Sequence, residues 1–259
     1  DGLQARARAL PGSATTALAL AGLRKVVDYQ DPEYGAEYLA RLEEIAALDA
    51  RRDGERRDFE FTATAAKYLA NAMCYDDILR VADLKTRSDR TRRIADEVGA
   101  AKGTLVQVTE YVHPGAAEFV SLMPARLGAA LARRPGAMRV IDRVVNRGRR
   151  LRSDRLGAFL MLYALGGLRR YRRRLFRHET ETAHLEAWLG RACARLDSDY
   201  ALAVETLKVR RLIKGYSDTH ARSLSKFDRV MAASEMVEGR ADAADWCARL
   251  VAAALKDPQ

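Results

Sequence analysis

The sequence predicts a mainly α-helical protein with one small β-hairpin. The chain has 259 residues and 48% of them are hydrophobic, so it can bury a substantial core. Apolar residues recur at helical spacing along most of the chain, whereas β-branched alternation is confined to one short segment. We expect a linker or frayed terminus over residues 1–12, followed by a single α-rich domain over residues 13–259.

Residues typical of helix N-caps precede several of the segments with helical apolar spacing. Ser13 is a candidate cap for a first helix ending near Val27, and Asp31 with Pro32 has the pattern of an N-cap followed by proline at the first helical position. Thr62 or Thr64 is expected to cap the next helix. The remaining helices are predicted near residues 75–85, 88–99, 115–133, 154–174, 180–196, 198–214, 217–238 and 241–256.

The strand prediction depends on residues 104–112, which alternate and are rich in β-branched residues. Residues 138–145 are the predicted partner strand of the hairpin.

Several classes of protein are excluded by what the sequence lacks. Cys74, Cys193 and Cys247 lie far apart without a CxxC pair, which excludes a disulfide scaffold, a four-cysteine zinc site and an iron–sulfur cluster held by this chain alone. No glycine-rich phosphate loop or nucleophile elbow is present. We expect no metal site, no cofactor on this chain, no membrane association and a cytoplasmic location.

The net charge of +10 is concentrated in one segment. Residues 147–177 contain eleven arginines and one acidic residue, while the rest of the chain is balanced. Within this segment Leu156–Leu168 carries no charge and predicts a buried helix. The arginines form either a solvated face paired with acidic helices or a docking patch for an acidic partner. The candidate docking patch is Arg169, Arg170, Arg172, Arg173, Arg174 and Arg177.

Two further runs combine charged and aromatic residues. Around Gly215, which can end a helix in a left-handed turn, the sequence predicts an anion- or substrate-binding site at a helix start. Its candidate residues are Lys214, Tyr216, Asp218, Thr219, His220 and Arg222. The second run predicts a polar network of Tyr75, Asp76, Asp77, Arg80 and Lys85. The alternative for both runs is a purely structural role, such as an intrahelical ladder of ion pairs.

These runs also carry a family resemblance. In order they are Tyr29-Gln30-Asp31-Pro32, Met73-Cys74-Tyr75-Asp76-Asp77 leading to Arg80, Glu110 with Pro114-Gly115, and Ile213-Lys214-Gly215-Tyr216 with His220 and Arg222. Together they resemble the C-terminal domain of the beta-subunit family of indolepyruvate ferredoxin oxidoreductase, over residues 20 to 230.

The resemblance implies an accessory role in an oxidoreductase. Those enzymes oxidatively decarboxylate aryl-2-oxoacids to acyl-CoA with thiamine diphosphate and iron–sulfur clusters, and reduce ferredoxin. The implied partners are the catalytic alpha subunit, a gamma-type domain that this sequence lacks, and ferredoxin. No catalytic residue transfers to this chain, which begins at Asp1 without methionine and is expected to be a piece of a longer protein. The alternatives are a small-anion-binding domain using the turn at Lys214–Arg222, and a nucleic-acid-binding module, which ranks lower because no recognised module is present.

Overall fold

Helices make up most of the computed structural model, which describes residues 1–101, 104, 106–112, 114–215 and 217–257. Over these residues the chain forms fourteen α-helices and one antiparallel pair of strands, which confirms the predicted fold class. The helices are α1 (Gly2–Ala9), α2 (Thr15–Tyr29), α3 (Pro32–Ala50), α4 (Glu60–Met73), α5 (Ile78–Thr86), α6 (Ser88–Glu97), α7 (Ala116–Ser121), α8 (Ala125–Ala132), α9 (Pro135–Val145), α10 (Leu156–Gly167), α11 (Phe176–Arg195), α12 (Tyr200–Lys208), α13 (Ser217–Met236) and α14 (Ala243–Lys256).

The chain folds as two compact units, where the sequence predicts a single domain. Unit 1 contains Asp1–Tyr75 and Glu181–Gln259, and unit 2 contains Asp76–Thr180. Residues 1–12, expected to be a linker, include helix α1, whose Ala7 is fully buried and whose Arg6 pairs with Glu43 at 2.8 Å. The amino-terminal segment therefore belongs to the fold of unit 1.

Unit 1 has a large core in which tyrosines of α3 bind the backbone of α4. The Asp31 carboxylate accepts a hydrogen bond from the Tyr34 amide at 2.8 Å, which confirms the predicted cap. The Tyr38 hydroxyl, fully buried, donates to the carbonyl of Ala66 at 2.7 Å. A Cβ at Gly22 of α2 would collide with this hydroxyl, so glycine permits the close approach of the helices.

A buried carboxylate connects α3 and α4 to α12 in unit 1. Asp49, at the end of α3, accepts hydrogen bonds from the Thr62 amide at 3.0 Å and from the Tyr200 hydroxyl at 2.9 Å. Thr62 therefore lies inside the first turn of α4 and does not cap it. Ser13 is not a cap either, because its backbone amide donates to the Asp58 carboxylate at 2.9 Å while Ala14 occupies the N-cap position.

The two strands lie in unit 2. Strand β1 (Thr109–Val112) pairs antiparallel with β2 (Arg149–Arg152), and Tyr111 lies opposite Arg150. The predicted partner at 138–145 is wrong, because Pro135 begins helix α9 there and Met138, Ile141 and Val145 recur at helical spacing. The predicted long helix at 115–133 is divided into α7 and α8 before Pro124, which cannot continue a helix.

Unit 2 buries far less apolar surface than unit 1. Among the described residues, its buried apolar side chains are Leu79, Ala82, Ala116, Val120 and Leu162. In the same described residues, all of the exposed large apolar side chains except Met236 and Trp246 also lie in unit 2. A soluble domain rarely leaves so much apolar surface exposed unless that surface binds something. The exposed apolar surface therefore indicates an interaction site in unit 2.

Candidate functional site

Helix α10 presents an apolar stripe to solvent. Leu162 and Gly166 pack against α5, where a Cβ at Gly166 would lie 3.1 Å from the backbone of Asp83. The prediction of a buried helix is wrong for the opposite side of α10, because the part of the chain that the structure describes covers only this narrow face. The exposed residues, which we call the α10 stripe, are Leu156 (73% exposed), Phe159 (37%), Leu160 (52%), Met161 (48%) and Tyr163 (64%).

The spacing of the α10 stripe is that of a helix-docking surface. Leu156, Phe159, Leu160 and Tyr163 stand at positions i, i+3, i+4 and i+7, so they share one face of the helix. The rings of Phe159 and Tyr163 stack with their centroids 6.2 Å apart. An uncharged face of this kind, ordered on a helix, suits burial against another apolar surface.

Four exposed arginines follow the α10 stripe. The chain leaves α10 in a 3₁₀ segment, Leu168–Arg174, in which Arg169, Arg170, Arg173 and Arg174 are exposed. The guanidinium of Arg170 lies 4.9 Å from the ring centroid of Tyr171. These cations also follow the carboxyl end of α10, where the helix dipole favours positive charge. We call these four residues the arginine rim.

Arg172 is not part of any exposed patch. Its side chain is buried and pairs with the buried Asp77 carboxylate through two bonds, Nε–Oδ2 at 2.8 Å and Nη2–Oδ1 at 3.2 Å. Asp77 also caps α5 by accepting from the Arg80 amide at 2.6 Å. The pair fixes the 3₁₀ segment to the start of α5. The sixth predicted patch residue, Arg177, is only partly exposed.

The other residues of the predicted polar network divide among separate contacts. The Arg80 guanidinium pairs with Asp83 at 3.1 Å, as the spacing along α5 suggests. Lys85 pairs with Glu110 of β1 at 2.6 Å, and these contacts within unit 2 are structural. Tyr75 is buried in unit 1, where its ring meets Tyr29 edge to face. Asp76 is exposed and takes part in none of these pairs among the described residues.

The charge of Glu110 depends on that arrangement. Burial opposes ionisation of its carboxyl, but hydrogen bonds from Lys85 at 2.6 Å and from Arg90 at 2.7 Å outweigh burial and hold its pKa below the usual value. Glu110 thereby joins β1 to α5 and α6.

The structure describes four of the six side chains of the predicted anion site at residues 214–222. Gly215 adopts a left-handed conformation with φ of 71°, as expected, and α13 begins at Ser217. Lys214, Thr219 and Arg222 are exposed. His220 instead turns toward a carboxylate, with its Nε2 lying 3.2 Å from Oε1 of Glu181. Tyr216 and the side chain of Asp218 lie outside the described residues.

A buried polar chain continues from Glu181. Arg210 lies 3.7 Å from the Glu181 carboxylate and 3.0 Å from Nδ1 of His184, whose ring is 4.8 Å from that of Phe227. Burial lowers the pKa of His184, and the positive charge of Arg210 lowers it further against the opposing effect of Glu181. A neutral His184 can accept a hydrogen bond from Arg210 through Nδ1.

Neither the histidines nor the cysteines form a metal centre in the described part of the chain. No group of three or more His, Cys, Asp or Glu side chains there could hold a metal ion. Burial raises the pKa of the Cys193 and Cys247 thiols to about 11, so both remain protonated at neutral pH. In the same residues no helix has the length and apolar character needed to cross a bilayer.

Comparison with known proteins places the chain in a family. DUF6537, a family of unknown function, matches residues 15–233. The chain belongs to DUF6537. No curated protein and no solved structure matches it. The match includes α10 and the arginine rim, so the candidate surface lies within the part of the chain shared with DUF6537.

Sequence reasoning missed the α10 stripe as a functional surface. An uncharged run of thirteen residues is typical of a buried helix, and periodicity cannot reveal which neighbours are present to cover it. The signal that could have indicated exposure is the density of arginines on both sides, since a helix between two charged segments lies near the surface of its domain.

Proposed function

We propose that this DUF6537 chain is an accessory domain of a 2-oxoacid oxidoreductase beta subunit, of the indolepyruvate:ferredoxin type, that docks on the catalytic part of the enzyme through the α10 stripe. The resemblance of the motifs at Tyr29–Pro32, Met73–Arg80 and Ile213–Arg222 supports the enzyme class. The exposure of the apolar residues on α10 is the observation that carries the docking role.

The size of the stripe limits how it can act. Burying the exposed fractions of Leu156, Phe159, Leu160, Met161 and Tyr163 would contribute on the order of 4–8 kcal/mol. Free association of two proteins costs about 4–15 kcal/mol in lost motion. The stripe would therefore hold a domain already kept nearby by further contacts or by a covalent connection, rather than drive assembly alone.

Under this proposal the cofactors of the enzyme are bound by other parts of the complex. Thiamine diphosphate, the iron–sulfur clusters and CoA would be bound by the catalytic alpha subunit and the gamma-type domain. This chain would supply a surface and no reacting group.

A binding assay with matched variants tests the docking role. Leu160→Glu places a charge in the centre of the α10 stripe, whereas Met236→Glu makes the same change at a residue that is 86% exposed in unit 1. We expect the tagged chain to bind the co-expressed alpha subunit and gamma-type domain, and Leu160→Glu to weaken this binding at least about tenfold, which is the effect of about 1.4 kcal/mol. Met236→Glu should bind as the unmodified chain does. Absence of binding, or equal loss in both variants, would refute docking through α10.

The arginine rim suits the approach of an acidic ferredoxin. Exposed cations raise association rates mainly through long-range attraction that salt screens. Changing Arg170, Arg173 and Arg174 to Ser should slow ferredoxin reduction by the intact enzyme at low salt and flatten the dependence of the rate on salt. Arg172 is left unchanged because it is buried in a structural pair. An unchanged rate with an unchanged salt dependence would remove ferredoxin from the proposal.

A further inference from the structure

A cleft lies at the amino-terminal end of α10, where the helix follows β2. It has a volume of about 620 Å³ and is lined by both strands and by the first turn of α10. This volume is in the range of small-molecule sites, about 300–1,000 Å³. The arginine rim follows the opposite end of α10, so the two features are separate.

The cleft carries uncompensated positive charge. Arg150, Arg152 and Arg155 line it. Arg152 is engaged by Asp154, with Nε 3.2 Å from Oδ1. Among the described residues neither Arg150 nor Arg155 pairs with a carboxylate, and both are exposed. Two guanidiniums are therefore available to an anion, and each can bind phosphate oxygens in a forked geometry.

The first turn of α10 adds backbone donors to the same wall. The N-cap position is held by Arg155, whose guanidinium has no acceptor atom and cannot cap the helix. The first hydrogen bond of the helix is made by the Phe159 amide to the Arg155 carbonyl at 2.9 Å. Gly157 and Ala158 line the cleft in the turn before it, and open space surrounds the position of a Cβ at Gly157. Backbone amides at a helix start favour phosphate binding.

An aromatic ring stands beside these donors. Tyr111 is 72% exposed, and the guanidinium of Arg150 lies 5.5 Å from its ring centroid. An exposed aromatic face next to cations suits a ligand that combines a flat ring with negative charge. We propose that this cleft binds a nucleoside diphosphate, with the phosphates at Arg150, Arg155 and the first turn of α10, and the base against Tyr111.

This site does not depend on the accessory role proposed above. The cleft is formed by residues other than those that the sequence predicts as binding residues. It would therefore exist whether or not the chain docks on an oxidoreductase. Its failure would leave the α10 stripe unaffected.

Titration calorimetry of the 259-residue chain with ADP, pyrophosphate and adenosine tests the proposal. We expect saturable binding of ADP, weaker binding of pyrophosphate and none of adenosine. Arg150→Ser and Arg155→Ser should each weaken ADP binding by about 10- to 100-fold, the effect of losing a charged hydrogen bond. Arg24→Ser, an exposed cation of unit 1, is the matched control and should leave the affinity unchanged.

A Tyr111→Ala variant separates the two halves of the ligand. It should weaken binding of ADP but not of pyrophosphate, because only the base contacts the ring. The proposal is overturned if ADP does not bind, if adenosine binds as tightly as ADP, or if Arg24→Ser weakens ADP binding as much as Arg150→Ser and Arg155→Ser do. It is also overturned if an oligonucleotide binds while ADP does not, since the arginines would then serve nucleic acid.

Discussion

Replacing Arg172 with Met should destabilise unit 2 strongly, although the sequence places this residue in an exposed charged run. The Arg172 and Asp77 side chains are 2% and 4% exposed, and the pair has two direct hydrogen bonds. Removing the cation leaves a buried carboxylate that still accepts a hydrogen bond from the Arg80 amide but has lost its charged partner. Breaking a buried pair in this way costs about 3–5 kcal/mol.

Three further variants, Asp77→Ala, Asp77→Asn and a double variant, separate the contribution of the ion pair from that of the helix cap. Asp77→Ala also removes the cap of α5, which adds about 1 kcal/mol to the loss. In the double variant Asp77→Asn with Arg172→Met, no buried charge remains and asparagine can still cap the helix. We therefore expect the double variant to be more stable than Arg172→Met alone.

Urea denaturation followed by far-ultraviolet circular dichroism measures these differences. The fluorescence of Trp188 and Trp246 gives a reference for unit 1, because both tryptophans lie there. If the cost of the double variant equals the sum of the costs of Asp77→Asn and Arg172→Met, the two side chains do not interact and the reasoning is wrong.

Two other predictions concern unit 1. Because the pKa of His184 is lowered in the folded protein, this histidine takes up a proton at a higher pH in the unfolded chain than in the folded one. The stability that neutral His184 contributes is therefore complete above about pH 6.5, the unfolded pKa, and is lost as the pH falls. His184→Gln should therefore make the free energy of unfolding less dependent on pH between 7 and 5, and an unchanged dependence would contradict the assignment. Gly22→Ala should lower the melting temperature through a clash costing about 1–3 kcal/mol. Gly190→Ala, in α11 with open space around it, should raise stability by about 0.5–1 kcal/mol, and the same sign in both variants would refute the packing argument.

Local signals in the sequence were sufficient for most helices. The cap at Asp31 and the helix predicted at residues 241–256 depend on neighbours within one or two turns, and the structure confirms both: Asp31 binds the Tyr34 amide, and α14 spans Ala243–Lys256. Such features need no knowledge of distant parts of the chain.

Features that depend on distant partners could not be predicted. The strand partner of β1 is Arg149–Arg152, whose charges give no strand signal and whose place is set by pairing with Thr109–Val112. The burial of Arg172 depends on Asp77, which is 95 residues away. The exposure of α10 depends on which other elements pack against it, and the periodicity of the sequence does not predict those elements.

Photochemical cross-linking from the α10 stripe tests the central claim most directly. A photoreactive phenylalanine analogue would replace Leu160 in one preparation of the proposed oxidoreductase complex and Met236 in another. The docking role predicts that the analogue at position 160 cross-links to the catalytic part of the enzyme and that the analogue at position 236 does not. If position 160 forms no cross-link to that part, or if both positions react equally, α10 is not the docking surface.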